Sequence, residues 1–310
     1  SLEILKKELA KIKHDNQEKY GSEKDLTEFE TRKQYIDIYL EEIGWRKYKD
    51  WTEEIEVEGM PNKTGLGYVD YVLWGDDGKP IGIIEAKKTT IDPKVGQQQA
   101  KLYADCLEEK YNQRPIIFLS NGFKHFIWDD LNYPRREVQG FYKKDELDLL
   151  IRRRDIKKNL NNLKINKEIT DRPYQQRAIR SITESLEKQR RKALLVMATG
   201  TGKTRTIISL CDLLIRCNWI KRVLFLADRK NLVSQAEKAF KKHLPDCSPV
   251  NLVKNKSGEG RILLSTYPTI SNLIDNQFES GKRRFGIGHF DLVIIDEAHR
   301  SVYKKYYSIF

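Results

Sequence analysis

The sequence predicts an α/β chain of two domains, and three observations carry that expectation. Its 310 residues exceed the roughly 100–200 that one ordinary domain uses. Its charge is divided: residues 1–150 hold 24 Lys and Arg against 30 Asp and Glu, a net −6, whereas residues 151–310 hold 33 against 15, a net +18. Strand-like and helix-like patterns alternate from residue 174 onward, the signature of a parallel sheet wrapped by helices. The composition changes where Ile151-Arg152-Arg153-Arg154-Asp155-Ile156-Lys157-Lys158 precedes the Asn-rich Asn159-Leu160-Asn161-Asn162. The first domain is therefore expected at 1–155, a linker at 156–170 and the second domain at 171–310.

In the first half, Phe29, Ile36, Leu40 and Ile43, followed by Gly44, predict a helix over 27–42. Thr27-x-x-Glu30 at its start is a capping box, and that role suffices to explain Glu30. Strands are expected at 52–57, 68–74, 81–85 and 115–119, with a helix over 95–109. Gly67-Tyr68-Val69-Asp70-Tyr71-Val72-Leu73-Trp74 and Pro80-Ile81-Gly82-Ile83-Ile84-Glu85-Ala86-Lys87 flank an Asp-Gly-bearing turn, a hairpin signal. A loop over 76–79 pairs Trp74 with Ile81, Val72 with Ile83 and Asp70 with Glu85. Two like charges opposed across a ladder destabilise it, and a divalent cation with oxygen ligands offsets that. Lys87 projects from the same strand face as Glu85, so Asp70, Glu85 and Lys87 converge on one site. A solvated strand face with no chemistry fits the same spacing.

In the second half, helices are expected at 174–188, 203–216 and 232–242, and strands at 192–197, 222–227, 261–265 and 292–296. Ala198-Thr199-Gly200-Thr201-Gly202-Lys203-Thr204 lies between an apolar strand, Ala193-Leu194-Leu195-Val196-Met197, and a helix. That is the setting of a phosphate loop: Thr199, Gly200, Thr201 and Gly202 turn backbone N–H groups inward, Lys203 supplies charge to the β and γ phosphates, and Thr204 can ligate magnesium. Met197 stands where the general pattern has Gly. The strand Leu292-Val293-Ile294-Ile295 ends in Asp296, suited to magnesium, and Glu297, suited to orienting the attacking water.

Other function classes are less favoured. No run of about 18 uncharged apolar residues occurs, and Ser1-Leu2-Glu3-Ile4-Leu5-Lys6 does not open a signal peptide. The chain is expected to be soluble and intracellular, with no membrane role. Cys106, Cys211, Cys217 and Cys247 form no Cys-x-x-Cys pair, which argues against a zinc site and a disulfide framework. The basic second half suits a polyanion gripped through its phosphates, although a merely soluble basic surface fits the charge equally well.

The phosphate loop and Asp296-Glu297-Ala298-His299 resemble motifs I and II of superfamily 2 helicases, in which the loop begins Ala-x-Thr-Gly. Arg172-Pro173-Tyr174-Gln175 resembles the adenine-reading motif, which makes Gln175 the base-selecting candidate. Phe225-Leu226-Ala227-Asp228-Arg229-Lys230 and Leu264-Ser265-Thr266-Tyr267 resemble motifs Ia and Ib, which contact the nucleic-acid backbone. For His299, helix packing and coupling of ATP to nucleic acid are equally open. Asp70, Glu85 and Lys87 resemble the PD-(D/E)xK nuclease core, with Val69 in place of the leading Pro. Gln99 and Tyr103 match the Gln-x-x-x-Tyr element of RecB-like nucleases, and their spacing puts both on one helical face. In related nucleases an acid on the first helix also reaches the metal, which makes Glu30 a candidate and Glu28 a weaker one.

A RecB-like nuclease followed by such a motor resembles the restriction (R) subunit of type I restriction-modification enzymes, as do Glu30-Thr31-Arg32-Lys33-x-Tyr35-Ile36-Asp37 with Gly44-Trp45, and Arg300-Ser301 at the other end. The resemblance implies a mixed-sheet nuclease domain, then an incomplete RecA-like domain with a parallel sheet. It implies ATP and Mg²⁺ as cofactors, with Asp70, Glu85, Glu30, Thr204 and Asp296 as metal ligands, and catalytic roles for Asp70, Glu85, Lys87, Gln99, Tyr103 and Glu297. It implies ATP-driven translocation and cleavage of double-stranded DNA in a prokaryotic cytoplasm, in complex with modification (methyltransferase) and specificity subunits. Because the sequence ends at Phe310, soon after motif II, the second RecA-like domain and its arginine finger are expected to be missing, with little ATP hydrolysis as the consequence. Two alternatives stay open: a repair or antiviral helicase-nuclease without a methyltransferase partner, and an ATP-controlled DNA-binding module whose nuclease-like fold is inert.

Overall fold

The computed structural model describes residues 27–276, 278–279 and 282–298, which form two compact units dividing between Phe141 and Tyr142. In the first unit the capping box forms: Thr27 Oγ1 accepts from the Glu30 N–H while the Glu30 carboxylate accepts from the Thr27 N–H, starting α1 (Glu28–Thr31). The predicted single helix is interrupted by a π-helical turn, Arg32–Ile36, before resuming as α2 (Asp37–Glu42). Gly44, at φ 100°, ends it in a conformation that disfavours a Cβ. Ile36 and Leu40 are fully buried, and the Tyr71 hydroxyl donates to Asp37 Oδ1 at 2.6 Å, fastening this helix to the sheet.

The sheet consists of β1 (Trp51–Glu58), β2 (Leu66–Trp74), β3 (Pro80–Ala86), β4 (Ile116–Ser120), β5 (His125–Trp128) and β6 (Arg136–Val138), hydrogen-bonded in that order. Only β3 and β4 pair in parallel, because the helix α3 (Gln97–Tyr111) crosses over between them; the remaining pairs are antiparallel. The mixed sheet that the resemblance implied is present. As central strands, β3 and β4 are buried at every position. Ala100, Ala104 and Leu107 of α3 pack on Val69, Val72, Ile83, Ile117 and Leu119, forming the core on one sheet face. The strands β5 and β6, four and three residues long, carry too little alternation to be read from sequence.

The predicted β2–β3 register is present where Val72 pairs with Ile83 and Tyr71 with Ile84, but it fails nearer the turn. A bulge between Leu73 and Trp74 sets Trp74 opposite Pro80 instead of Ile81. At the other end the ladder stops at Tyr71, so Asp70 and Glu85 are not a ladder pair; Asp70 Oδ2 instead accepts from the Ala86 N–H at 2.8 Å.

The second unit carries α4 (Lys144–Ile156), α5 (Pro173–Glu187), α6 (Lys203–Arg216), β7 (Val223–Ala227), α7 (Lys230–His243), β8 (Pro249–Asn251), β9 (Ile262–Thr266), α8 (Tyr267–Asn276), a two-strand ribbon of β10 (Phe278–Glu279) and β11 (Lys282–Arg283), and β12 (Leu292–Ile295). Four of these strands form a wholly parallel sheet in the order β12-β7-β9-β8. Alternation along the strands feeds two cores: Val223, Phe225, Ile262 and Leu264 meet α5, α6 and α7 on one face, and Leu224, Leu226 and Leu263 meet α8 on the other. This is the predicted parallel α/β layering.

One predicted strand does not form. Residues 191–198 lie in no strand, with Leu194 78% and Val196 83% exposed, although apolar composition pointed to a buried strand over 192–197. A parallel strand is held by its ladder, and among the described residues this segment joins none, although β12 at the sheet edge pairs only with β7. The unit boundary also precedes α4, whereas composition put the boundary at 155/156. That helix is fastened within the second unit by Arg153, whose Nη1 and Nη2 donate at 2.6 Å each to the two carboxylate oxygens of Asp291. Among the described residues no helix is long and apolar enough to cross a membrane. Cys211, Cys217 and Cys247 are buried free thiols, and Cys106 is a half-buried one.

Asp291 also accepts the N–H groups of Lys221 and Arg222, so removing Arg153 strands a buried carboxylate at the foot of β12. Burial works against ionisation of Asp291, but Arg153 overcomes it and leaves the carboxyl below its ordinary range. Arg153→Ala should therefore destabilise the second unit by about 3 kcal/mol near neutral pH in urea denaturation. A carboxyl held low stabilises above its unfolded range and loses that contribution on acidification, so the difference between wild type and variant should shrink as pH falls through the carboxylate range.

Candidate functional sites

At the β2–β3 end of the first unit, Asp70, Glu85 and Lys87 do come together. Lys87 Nζ donates to Glu85 Oε1 at 2.5 Å and to Glu28 Oε1 at 3.1 Å. The Glu85 side chain is only 2% exposed, and its Oε2 is buried with no hydrogen-bond partner. Burial, then the neighbouring charge of Asp70, pushes the Glu85 carboxyl up to about 7. Burial likewise raises Asp70, against the opposing pull of the Ala86 N–H and of Arg32. Lys87 is held above its ordinary range because its bonds to Glu85 and Glu28 outweigh its burial. Gly96, the N-cap of α3, presses on this cluster: a Cβ there would lie 2.7 Å from Glu85 Cγ and 3.0 Å from Lys87 Cε.

Gln99 and Tyr103 share a face of α3 as their spacing predicts, with Gln99 Nε2 donating to the Tyr103 hydroxyl at 2.7 Å. Burial raises Tyr103, and the charges of Glu85 and Asp70 add to that. The Glu30 carboxylate is taken up by the cap on Thr27, and Glu28, two residues earlier on the opposite side of the helix, is the acid that reaches Lys87. Among the described residues no group of three or more His, Cys, Asp or Glu closes around a single metal position. The donor chemistry nevertheless fits a divalent cation: two buried, mutually repelling carboxylates, one with an unsatisfied oxygen, are what hard-cation ligation relieves.

In the second unit the phosphate loop leads directly into α6, which begins at Lys203. Gly200 and Gly202 take φ 78° and 86°, and a Cβ on Gly202 would also meet Gln175 Nε2 at 2.5 Å. Both glycines are therefore required by conformation, and the second by space as well. Gln175, predicted to read adenine, is 3% exposed and donates to the Thr201 carbonyl at 2.9 Å, where the Tyr174 hydroxyl also donates. Thr201 Oγ1 closes the loop on the Ala198 carbonyl at 2.6 Å, Thr199 is exposed and Thr204 is half-buried. Lys203 Nζ lies 3.9 Å from Glu297 Oε1, and Asp296 is fixed at the end of β12 by donating its N–H to the Leu226 carbonyl at 2.8 Å. Burial, then Glu297, raises Asp296, while Lys203 draws it down. His299, Arg300 and Ser301 lie outside the described residues.

The family model described as "Type I restriction enzyme R protein N terminus" matches residues 51–136, and "Type III restriction enzyme, res subunit" matches residues 168–310. Curated relatives include the EcoKI endonuclease subunit of Escherichia coli (strain K12), 27% identical across 89% of this chain, and the EcoAI endonuclease subunit of Escherichia coli, 29% identical across 74%. Both are endonuclease subunits of type I restriction enzymes. Across most of its length the chain is thus similar to endonuclease subunits of type I restriction enzymes. It spans 29% of the length of each of those two relatives. A solved fragment described as an HsdR subunit from Vibrio vulnificus YJ016 covers 91% of this chain and 53% of its own at 24% identity, with a TM-score of 0.35 that is too low for a comparison of geometry.

The fold brings to the sites one group that the sequence ranked low and two to which it gave no role of their own. Glu28, the weaker of the two first-helix candidates, is the one that reaches Lys87. Arg32, present in the run that resembles the family, donates to Asp70 Oδ1 at 3.1 Å and to Glu54 Oε1 at 2.6 Å. Asp228, just beyond β7, acts on the charge of Asp296 beyond the adjacent strand β12. Acids closing two neighbouring parallel strands were a legible signal for the last of these.

The raised Glu85 carboxyl has a measurable consequence. A carboxyl pushed upward contributes stability that is complete below its unfolded range and is lost as pH rises through about 7. In chelator, the melting temperature of the wild type should fall over that window, by a loss on the order of 2 kcal/mol. Glu85→Gln should flatten the profile; an unchanged pH dependence in that variant would remove Glu85 as its source.

Proposed function

We propose that the first unit hydrolyses phosphodiester bonds of double-stranded DNA with Mg²⁺, and that the second is the nucleotide-binding half of an ATP-driven duplex translocase. The observation that carries this reading is the convergence of Asp70, Glu85 and Lys87 with an unsatisfied, buried Glu85 oxygen. Asp70 and Glu85 are the residues that would hold Mg²⁺, which when bound polarises the scissile phosphate and acidifies a water. Lys87, charged and half-buried beside Glu85, is suited to orienting that water or to meeting negative charge that develops on the phosphate. Gln99 and Tyr103 offer polar groups on the adjoining helix face for the nucleic-acid strand.

In the second unit, the N–H groups of the loop and of the first turn of α6 would bind the triphosphate, with Lys203 on its β and γ groups. Thr204 and Asp296 are the candidates for the magnesium of the nucleotide, and Glu297 for orienting the attacking water. Gln175 supports the reading differently from the sequence expectation, by bracing the loop through Thr201, and base selection is left to it only if that bond exchanges. The similarity to endonuclease subunits of type I restriction enzymes supports modification and specificity subunits as partners, acting in a prokaryotic cytoplasm.

The test is nicking of supercoiled plasmid with Mg²⁺ and ATP by the complete subunit in its restriction complex. Asp70→Ala and Lys87→Ala should each lower cleavage at least about 100-fold, the scale of losing several kcal/mol of charge stabilisation, while ATP hydrolysis is retained. Glu297→Gln should abolish ATP hydrolysis. Cleavage at wild-type rates by Asp70→Ala would remove the nuclease assignment, and unchanged ATP hydrolysis in Glu297→Gln would remove that residue from the motor.

A further inference from the structure

Arg32 occupies an unusual position. It sits in the π-helical turn, its side chain is 11% exposed, and its guanidinium lies between two carboxylates, bonding Asp70 Oδ1 at 3.1 Å and Glu54 Oε1 at 2.6 Å. Such turns widen a helix by one residue and are frequent where a side chain has to be aimed. Glu54 is aimed in its own way. The β1–β2 ladder pairs Glu53 with Tyr71 and Ile55 with Val69, so Glu54 falls level with Asp70, yet it makes no ladder pair and takes φ 52°. A non-glycine residue in the left-handed region is held there by its surroundings at some strain. The two halves of this arrangement differ in exposure: the Asp70 side chain is 20% exposed and the Glu54 side chain 64%. The Arg32 Nε is buried and has no hydrogen-bond partner, so the fork is not saturated where it stands.

We propose that Arg32 is a positioning residue of the acid site, neutralising Asp70 Oδ1 in the metal-free state and passing to Glu54 when Asp70 is needed as a cation ligand. This rests on the reading of Asp70 and Glu85 as a divalent-cation site. The physical reason is charge. A guanidinium 3.1 Å from Oδ1 adds a positive charge beside the place a cation must occupy, but without it Asp70, Glu85 and Glu28 would repel one another around Lys87 alone. A second carboxylate already within 2.6 Å lets the guanidinium give up one partner without becoming an unpaired buried charge. Glu54 thereby sets how readily Asp70 is released. The Ala86 N–H keeps Asp70 Oδ2 in place throughout, so the exchange turns on Oδ1.

The experiment is calorimetric titration of the chain with Mn²⁺ alone, without DNA or nucleotide. Glu54→Gln should weaken Mn²⁺ binding about tenfold, the scale of one charge-assisted hydrogen bond. Glu56→Gln, a neighbouring acid bonded to Tyr68 rather than to Arg32, should stay within about twofold of wild type. The deciding arm is a double-mutant cycle: in an Arg32→Met background the effect of Glu54→Gln should vanish. A thermal melt of each variant establishes that it is folded, and if Arg32→Met does not fold, an Arg32→Lys background, lacking the fork, should at least halve the effect. Equal effects of Glu54→Gln in both backgrounds, or no effect in the wild type, would overturn the inference while leaving the cation site intact. Wild-type binding that survives Asp70→Asn undiminished would overturn both.

Discussion

Burial of the Glu85 carboxylate is the constraint on which the first unit depends. The strand β3 is covered at all seven positions, and a charge in its interior is unfavourable unless something answers it. The fold answers it in part: Lys87 bonds one oxygen, Gly96 leaves room for both side chains, and the crossover helix α3 begins beside them. The second oxygen is left unanswered. Most of the local architecture, including the parallel step from β3 to β4 and the glycine at the start of α3, follows from bringing a helix terminus and a lysine to a buried acid without closing it off.

The second unit shows the opposite economy. Its phosphate loop carries no buried charge; it is shaped by two left-handed glycines and braced from outside by Tyr174 and Gln175 on the Thr201 carbonyl. The acids that face it come from the ends of neighbouring strands, so their spacing is fixed by the strand-to-strand distance of a parallel sheet and owes little to loop conformation. A site built this way takes its alignment from the sheet even though the segment leading into the loop lies in no strand.

How much of this was legible in the sequence depends on the range of the interaction that decides each feature. Caps, helix starts and the hairpin are local. Thr27 and Glu30, the first residue of α6 and the pairing of Val72 with Ile83 were all readable from spacing. Features set by long-range contacts were not. Whether 192–197 forms a strand is decided by a ladder partner distant in sequence, and apolar composition alone cannot supply one. The capping box that takes up Glu30 was readable, but that Glu28 would then meet Lys87, 59 residues away, was not. Arg32 was noticed only as part of a run, because its two partners lie 22 and 38 residues away on different strands.

The bulge between Leu73 and Trp74 has a consequence for how freely this unit can change. Strand pairing is normally dictated by the turn, so that one inserted residue flips every side chain beyond it to the other face. Here the mismatch near the turn is absorbed at Trp74, and pairing beyond it runs undisturbed from Leu73–Gly82 to Tyr71–Ile84. The turn is thereby mechanically insulated from the acids at the far end of the strands. Changes at the exposed Asp76 and Asp77 can then leave the alignment of Asp70 with Ala86 intact, whereas Gly78, at φ 75°, is held by its conformation.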